Sequence, residues 1–510
     1  MRMSVLFSSA VLMTVVVCLP AQETKPPRTV TRFDDGVAHL VFSLDGKTLA
    51  AACSSSTHTT GMVQLWDVAA RKQRTILKGR NGPPCSLAFL ADGKTLAVGN
   101  HDGTVTLWDL STSEERATFD LHGKAVHSIA ATPDGKALAC GAEGAITLLD
   151  LSTGKERFAI HSFKGYSDLD FWPRGAVALS PDGASLLLAG VDESLRLRDV
   201  VTGKEKARLW IPGGGGKRQP SAGATLAFSP DGRTIACGTV SAVRLWEVAS
   251  GKERCVLEGH TNIISGVAFT PDGRTLVTGS YDCTVKLWDV SKGTELAKLD
   301  RHTGTPAVVA VSPDGKTVAS AGRRKEIRFL DIERWTKSKA DDGKLSEEDL
   351  QKAWEALGGD DAPAAYRAFG SLVRAPRQAI SFLQQRLSPV PALPKRVTQL
   401  VADLDSDKFA ARERATRELE RLGKVAEPTL RKALEGSPSA ELRRRAEHLL
   451  GRLDGAELSR ARLQKLRAVE VLEFISTPET LKVLEELAKG APEARLTREA
   501  RASVRRLGRR

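Results

Sequence analysis

Nine histidines and seven cysteines are the side chains best suited to catalysis or metal binding, and their spacing decides what they can do. No H-E-x-x-H pair sets two imidazoles one helical turn apart, as a zinc hydrolase needs, and no G-x-S-x-G turn presents a serine nucleophile. There is no C-x-x-C pair, so zinc-knuckle and thioredoxin-type readings fall away. Gly213–Gly216 followed by Lys217 has the glycine content of a phosphate-cradling loop. Ile211, however, stands where its first glycine belongs, and Arg218 replaces the hydroxyl residue that would hold magnesium. No catalytic residue, metal ligand or cofactor is assigned. What remains is recognition chemistry. Phe163, Tyr166, Phe171 and Trp172 crowd into one stretch of a chain that is only 5% aromatic, and Lys217 and Arg218 follow in another. Aromatic rings and guanidinium groups are the side chains that most often anchor protein contacts.

The elements that must position these residues are read from Ile264–Asp289, ISGVAFTPDGRTLVTGSYDCTVKLWD. Three short β-rich runs are separated by turns at Pro271-Asp272-Gly273 and Tyr281-Asp282-Cys283, which predicts antiparallel strands. The first turn recurs at Asp45, Asp92, Asp134, Asp182, Asp231, Asp272 and Asp314, at intervals of 41 to 49 residues. The third strand ends in Trp66-Asp67, Trp108-Asp109, Leu149-Asp150, Arg198-Asp199, Trp246-Glu247, Trp288-Asp289 and Leu330-Asp331, and a fourth strand follows most of these. Carboxylates that recur from unit to unit are expected to serve the turns and not acid–base chemistry.

Seven such units resemble the WD40-repeat β-propeller family over about residues 29–335. The resemblance implies a seven-bladed ring in which each four-stranded sheet is sandwiched by its neighbours. It also implies an internal polar network in the sixth unit: Asp282 accepts from His260, and a Thr278 or Ser280 hydroxyl links His260 to the Trp288 indole, as structural glue. The other units depart from this. His122 and His302 sit in units whose tryptophan is Leu149 or Leu330, and Asp102 with Trp108 has Arg80 in place of the histidine. The orphan run Thr29–Phe33 is expected to supply the outer strand of the last blade, with Ile332–Trp335 as its competitor; closing the ring this way removes a free edge.

In such a blade the first and third links lie at one end of the ring. The second link and the connection to the next blade lie at the other. The irregular stretches 54–61, 161–175 and 211–223 all map to the second end. That loop-rich rim is the expected partner-binding surface, carried by Tyr166, Trp172 and Arg218, with His101 and Tyr281 joining from equivalent turns. The same aromatics would otherwise plug the groove between blades. The alternative function is a propeller enzyme or a cofactor or metal binder using the central channel, for which the sequence offers no converging His or carboxylate set.

Residues 1–21 carry Arg2 and an apolar run from Val5 to Leu19, about 15 residues and too short to span a bilayer. A signal peptide is expected, followed by a linker at 22–28 and an exported destination: periplasm, cell envelope or medium. Lipid attachment at Cys18 and an uncleaved anchor are the other outcomes the segment allows, and a cytoplasmic location follows if it is no signal. After a linker at 336–345, residues 346–510 show helical periodicity. Helices joined by such short links resemble HEAT-like repeats, with a compact bundle as the alternative. The net charge of +13 is spread out, with 33 basic and 27 acidic groups in residues 341–510. This argues against a nucleic-acid stripe and leaves one basic cluster, Arg498, Arg501, Arg505, Arg506, Arg509 and Arg510, as either a solvated helix end or a site for an acidic partner. The expected function is a non-enzymatic interaction scaffold for a protein or peptide partner, with the helical domain as a further docking surface.

Overall fold

A computed structural model describes residues 29–32, 36–54, 61–79, 82–121, 125–142, 145–160, 176–189, 194–210, 225–302, 308–322, 326–336, 343–390, 394–423, 426–434, 438–455, 460–492 and 494–508. Seven four-stranded antiparallel sheets form the ring. Blades one to six are consecutive meanders over residues 36–77, 84–120, 126–160, 177–210, 225–258 and 264–301. Blade seven takes three strands from residues 308–331 and its outer strand from Thr29–Arg32, with Thr29 opposite Arg328 and Val30 opposite Ile327. The orphan run therefore closes the ring. Its competitor does not form a strand: Ile332 is buried and Glu333–Thr336 is a short helix, α1.

The recurring carboxylates are turn chemistry. In blade six the Thr270 hydroxyl donates to Asp272 at 2.6 Å, and the same carboxylate accepts the Arg274 amide at 3.0 Å. Ser43 with Asp45, Thr132 with Asp134, Ser180 with Asp182, Ser229 with Asp231 and Ser312 with Asp314 repeat the first bond. Gly273 takes φ 71°, a conformation in which a side chain is strained.

Both faces of each blade are apolar, so each pair of neighbours shares a core. Val37, Leu40, Ala310 and Ala319 join blades one and seven, completing a circle of such cores. The six free cysteines of the described residues include Cys140 and Cys237, which are fully buried among apolar neighbours. Burial pushes the Cys140 thiol up to about 12, where it is inert.

Ten further helices follow: α2 (Glu347–Leu357), α3 (Ala362–Arg374), α4 (Pro376–Arg386), α5 (Pro394–Asp403), α6 (Phe409–Leu422), α7 (Glu427–Leu434), α8 (Ala440–Gly455), α9 (Arg460–Ile475), α10 (Pro478–Ala488) and α11 (Arg495–Leu507). They divide in two. The core of α2–α4 and α9–α11 is continuous with the core between blades five and six, through residues such as Tyr366, Phe369, Val290 and Leu257. The core of α5–α8 is separate, built on Leu400, Leu404, Leu419, Leu430 and Leu449. There α5 packs on α6 and α7 on α8, while α5 also meets α7 and α6 meets α8, the arrangement of two stacked helix pairs. Helix α6 starts from Lys408 without a side-chain cap, whereas Thr477 caps α10, and Gly423 ends α6 at φ 59°. Gly490 has no positive φ. It lies where a Cβ would crowd the Val390 backbone.

Blade six holds a chain of buried hydrogen bonds. Asp282 and Thr278 flank His260, at 2.8 Å from Nδ1 and 2.7 Å from Nε2, and the Trp288 indole donates to Thr278 Oγ1 at 2.8 Å. The Asp282 carboxylate can only accept, so Nδ1 carries the proton of the neutral ring, Nε2 accepts from the Thr278 hydroxyl, and the Thr278 oxygen accepts from the indole. Thr278 is thus the linking hydroxyl; Ser280 instead donates to the Asn262 carbonyl at 2.9 Å. Burial lowers the His260 pKa against the pull of Asp282. In blade seven His302 Nε2 meets the Ser320 hydroxyl at 3.0 Å. In blade two the Asn100 amide donates to Thr104 and Thr106, both at 3.0 Å. His122 lies outside the described residues. Thr278→Val, which keeps the shape, strands the indole and imidazole in a site with 0% exposure. It should cost about 1–3 kcal/mol, read as a lower denaturant midpoint. Ser280→Ala should leave the Trp288 hydrogen bond, and its indole amide exchange protection, intact.

Candidate functional site

The sequence expectation named five partner-binding residues. Tyr166, Trp172 and Arg218 lie outside the described residues. His101 and Tyr281 occupy equivalent second-link turns of blades two and six. The His101 amide donates to the Pro83 carbonyl at 2.9 Å, and the Tyr281 amide to the Ile263 carbonyl at 2.8 Å. Both are half-buried and both stand at the loop-rich end of the ring. Blades two and six are not neighbours, so the fold does not bring these two side chains into one constellation. The His101 ring instead meets His127 of blade three edge-on, with centroids 6.4 Å apart. The strands on either side of residues 161–175 and 211–224 place the ends of both connections at this same rim.

The opposite end is where the helices dock, and this the sequence reading missed. The propeller groups in the bonds that follow come from a first or third link, or from the strand leaving it, in blades five and six. Arg467 of α9 grips Glu247 with two hydrogen bonds, at 2.8 and 2.7 Å, and donates to the Leu357 and Gly359 carbonyls at 2.7 and 2.9 Å. Arg254 holds Glu470 at 2.6 and 2.8 Å and Glu247 at 3.1 Å. Arg233 reaches Glu473 at 2.8 Å, and Arg506 of α11 closes on the same carboxylate at 2.6 and 2.7 Å. Arg274 donates to the Phe474 and Ile475 carbonyls at the end of α9 and lies over the Phe474 ring. Gly370 of α3 leaves room for the Ser291 carbonyl, which any Cβ there would strike.

Local sequence explains the match. Residues 467, 470 and 473 fall on one face of the second half of α9, where the remaining residues from Leu466 to Ile475 are apolar, so these buried charges need partners. Lysine follows the Asp-Gly turn at Lys47, Lys94, Lys136 and Lys316, whereas blades five and six carry Arg233 and Arg274, whose planar fork can bond two acceptors. Glu247 stands where six other blades have aspartate, and its extra methylene extends its reach. These departures from the repeat were the available signal.

Burial works to raise the Glu247 carboxyl, but Arg467, Arg254 and Ser250 outweigh it and hold it down to about 2. Glu473 is likewise held to about 2: burial opposes, while Arg506, Arg233 and Ser503 prevail. A glutamate free of the interface titrates near 4.5, so between these values the docked state binds fewer protons than the undocked one. The stabilisation is therefore complete above pH 4.5 and drains as the pH falls towards 2. Hydrogen exchange along α9, followed through an acid titration, should show protection lost across that window. Glu473→Gln, leaving Arg233 and Arg506 without their carboxylate, should weaken docking by about 3–5 kcal/mol at neutral pH.

Among the described residues no three His, Cys, Asp or Glu side chains converge as a metal site, and no helix is long and apolar enough to cross a membrane. No curated protein matches the chain. The family model for the WD domain, G-beta repeat, matches residues 71–109 and 251–289. Each match runs from the outer strand of one blade through the third strand of the next, ending at Trp108-Asp109 and Trp288-Asp289. With seven four-stranded sheets closed into a ring, the body of this chain is a seven-bladed β-propeller, two of whose repeats match the WD-domain model, followed by a C-terminal helical region.

Proposed function

We propose that the chain is an exported, non-enzymatic scaffold that binds a protein or peptide partner through the loop-rich rim of its propeller. A WD40 propeller is typically a protein-interaction fold. The observation that carries the reading is the placement of α2–α4 and α9–α11: among the described residues they pack at the turn end of the ring at blades five and six, away from the end from which residues 161–175 and 211–224 depart. Connections carried on a rigid scaffold are where binding residues tend to sit. Tyr166, Trp172 and Arg218 supply the aromatic and cationic anchors, with His101 and Tyr281 on the same rim. Residues 1–21 act as the export signal, so the partner is met outside the cytoplasm.

Affinity capture from the native cell envelope, using the tagged full-length chain, tests this. The triple substitution Tyr166→Ala, Trp172→Ala and Arg218→Ala should lose the captured partner while the ring stays folded. Retention of every partner by that variant would remove the rim from consideration. N-terminal sequencing of the recovered bait should read a chain beginning near Gln22.

A further inference from the structure

A cleft of about 770 Å³ runs between α11 and the turns of blades four and five, at the edge of the helical layer. It is polar on both walls and unequal in charge: eight cationic and five carboxylate side chains line it. The carboxylates contributed by the interface are already engaged. Glu247 and Glu470 hold Arg254 and Arg467, and Glu499 lies 3.3 Å from Arg233, which also holds Glu473 together with Arg506. Lys206 is taken by Asp199 at 3.0 Å. Three guanidinium groups are left over, Arg495, Arg498 and Arg505, all on the cleft-facing stripe of α11. Among the described residues no carboxylate stands within ion-pair distance of them. Burial lowers the pKa of Arg495, with Glu499 only partly offsetting it and Arg498 adding to the effect. A half-buried cation in this state is stabilised by any anion that enters the cleft.

The walls differ, and the difference selects the ligand. The α11 wall offers the surplus arginines. The facing wall carries the turn carboxylates Asp182 and Asp231 beside the Ser180 and Ser185 hydroxyls. A ligand that is negative on all sides would meet those two carboxylates head-on. An extended polypeptide would not, because its side chains alternate between opposite faces. From Arg495 to Arg505 the helix rises about 15 Å, a length covered by roughly five residues of extended chain.

We infer that this cleft is a second binding site, separate from the rim, for an extended peptide carrying acidic side chains on one face and neutral polar ones on the other. The acidic residues bond the Arg495, Arg498 and Arg505 guanidinium groups, and the neutral residues lie against the turns of blades four and five.

The test is fluorescence anisotropy on the full chain, with a labelled short peptide alternating Glu and Thr. Saturable binding that weakens with salt is expected. Arg495→Gln/Arg498→Gln/Arg505→Gln should weaken it by about tenfold or more. Arg414→Gln/Arg417→Gln/Arg443→Gln, with the same change of charge on the separate α5–α8 module, should bind like the unaltered chain. If the first triple variant does not fold, the exposed pair Arg498→Gln/Arg505→Gln serves with a smaller loss. The proposal fails if the peptide does not saturate, if the α11 variants bind it unchanged, or if an alternating Lys and Thr peptide binds equally well. It also fails if inorganic tripolyphosphate binds more tightly and competes, which would give the cleft to phosphate anions instead. Because no rim residue is altered, a failure here leaves the rim assignment standing, and a failure at the rim leaves this one.

Discussion

A four-stranded sheet with apolar side chains on both faces is not stable alone in water, and everything else in this molecule depends on that constraint. Ala50, Leu65 and Leu77 of blade one reach one neighbour, while Leu49, Ala51 and Trp66 reach the other. Sandwiching each sheet between two others removes both faces, and a ring is the arrangement in which no terminal sheet is left over. The outer strand of blade seven, brought from Thr29–Arg32, locks that closure with the two ends of the same domain. Once the faces are consumed, the two ends of the ring and the outer strands around its circumference are what can meet anything else. The fold therefore narrows the surfaces open to binding before any particular loop is considered.

One of these ends is partly occupied, and the way it is occupied reuses a device of the blade. In blade three, Arg157 of the outer strand turns back to Asp150 of its own sheet at 2.8 Å, in a pair open to water. Arg254 and Glu247 are the matching positions of blade five, and they too form a pair, at 3.1 Å. Here α9 covers them, with Glu470 completing the arginine and Arg467 completing the glutamate. Taking four charges out of water is costly, and the cost is offset only because each group keeps two or more hydrogen bonds to opposite charge. A surface pair worth little by itself has become the centre of an interface. Its apolar surroundings, Tyr366, Phe369 and Phe474, supply the burial that holds the layer down.

The ring was legible because its evidence is periodic. Seven turns with aspartate in the middle, six of them with a hydroxyl two residues before it, repeat a local structure that needs no long-range knowledge. Thr29–Arg32 was legible by subtraction, as a strand without a sheet beside a sheet without a strand. The docking of α9 was not, although Arg467, Glu470 and Glu473 sit in plain view on an apolar helix. Such residues announce a partner but do not say which. Their counterparts, Arg233, Glu247 and Arg274, differ from the repeat by a single methylene or by guanidinium in place of ammonium, changes that look conservative until something is packed on them. The division of the helices was hidden for another reason. Short links join all ten, and only tertiary packing shows that α5–α8 keep a core of their own while α9 returns to the propeller.

A ring of near-equivalent blades poses a problem of choice: a helical layer could settle on any of seven rotational positions. Apolar burial alone discriminates poorly, since each blade offers a similar turn and a similar outer strand. Charge discriminates well. Placed one blade further round, Glu473 would still find an arginine, Arg274, but Glu470 would meet Leu296 where blade five offers Arg254; one blade back, the two would meet Ala184 and Lys206. Arg467 would face an aspartate one methylene too short. Each misplacement leaves buried charge unpaired, at a cost of several kcal/mol per group, which exceeds any plausible difference in apolar contact between blades. The ion pairs therefore select the register more than they add to stability, and in fixing the helices over blades five and six they also fix α11 beside blade four, with the surplus arginines of that helix facing the cleft.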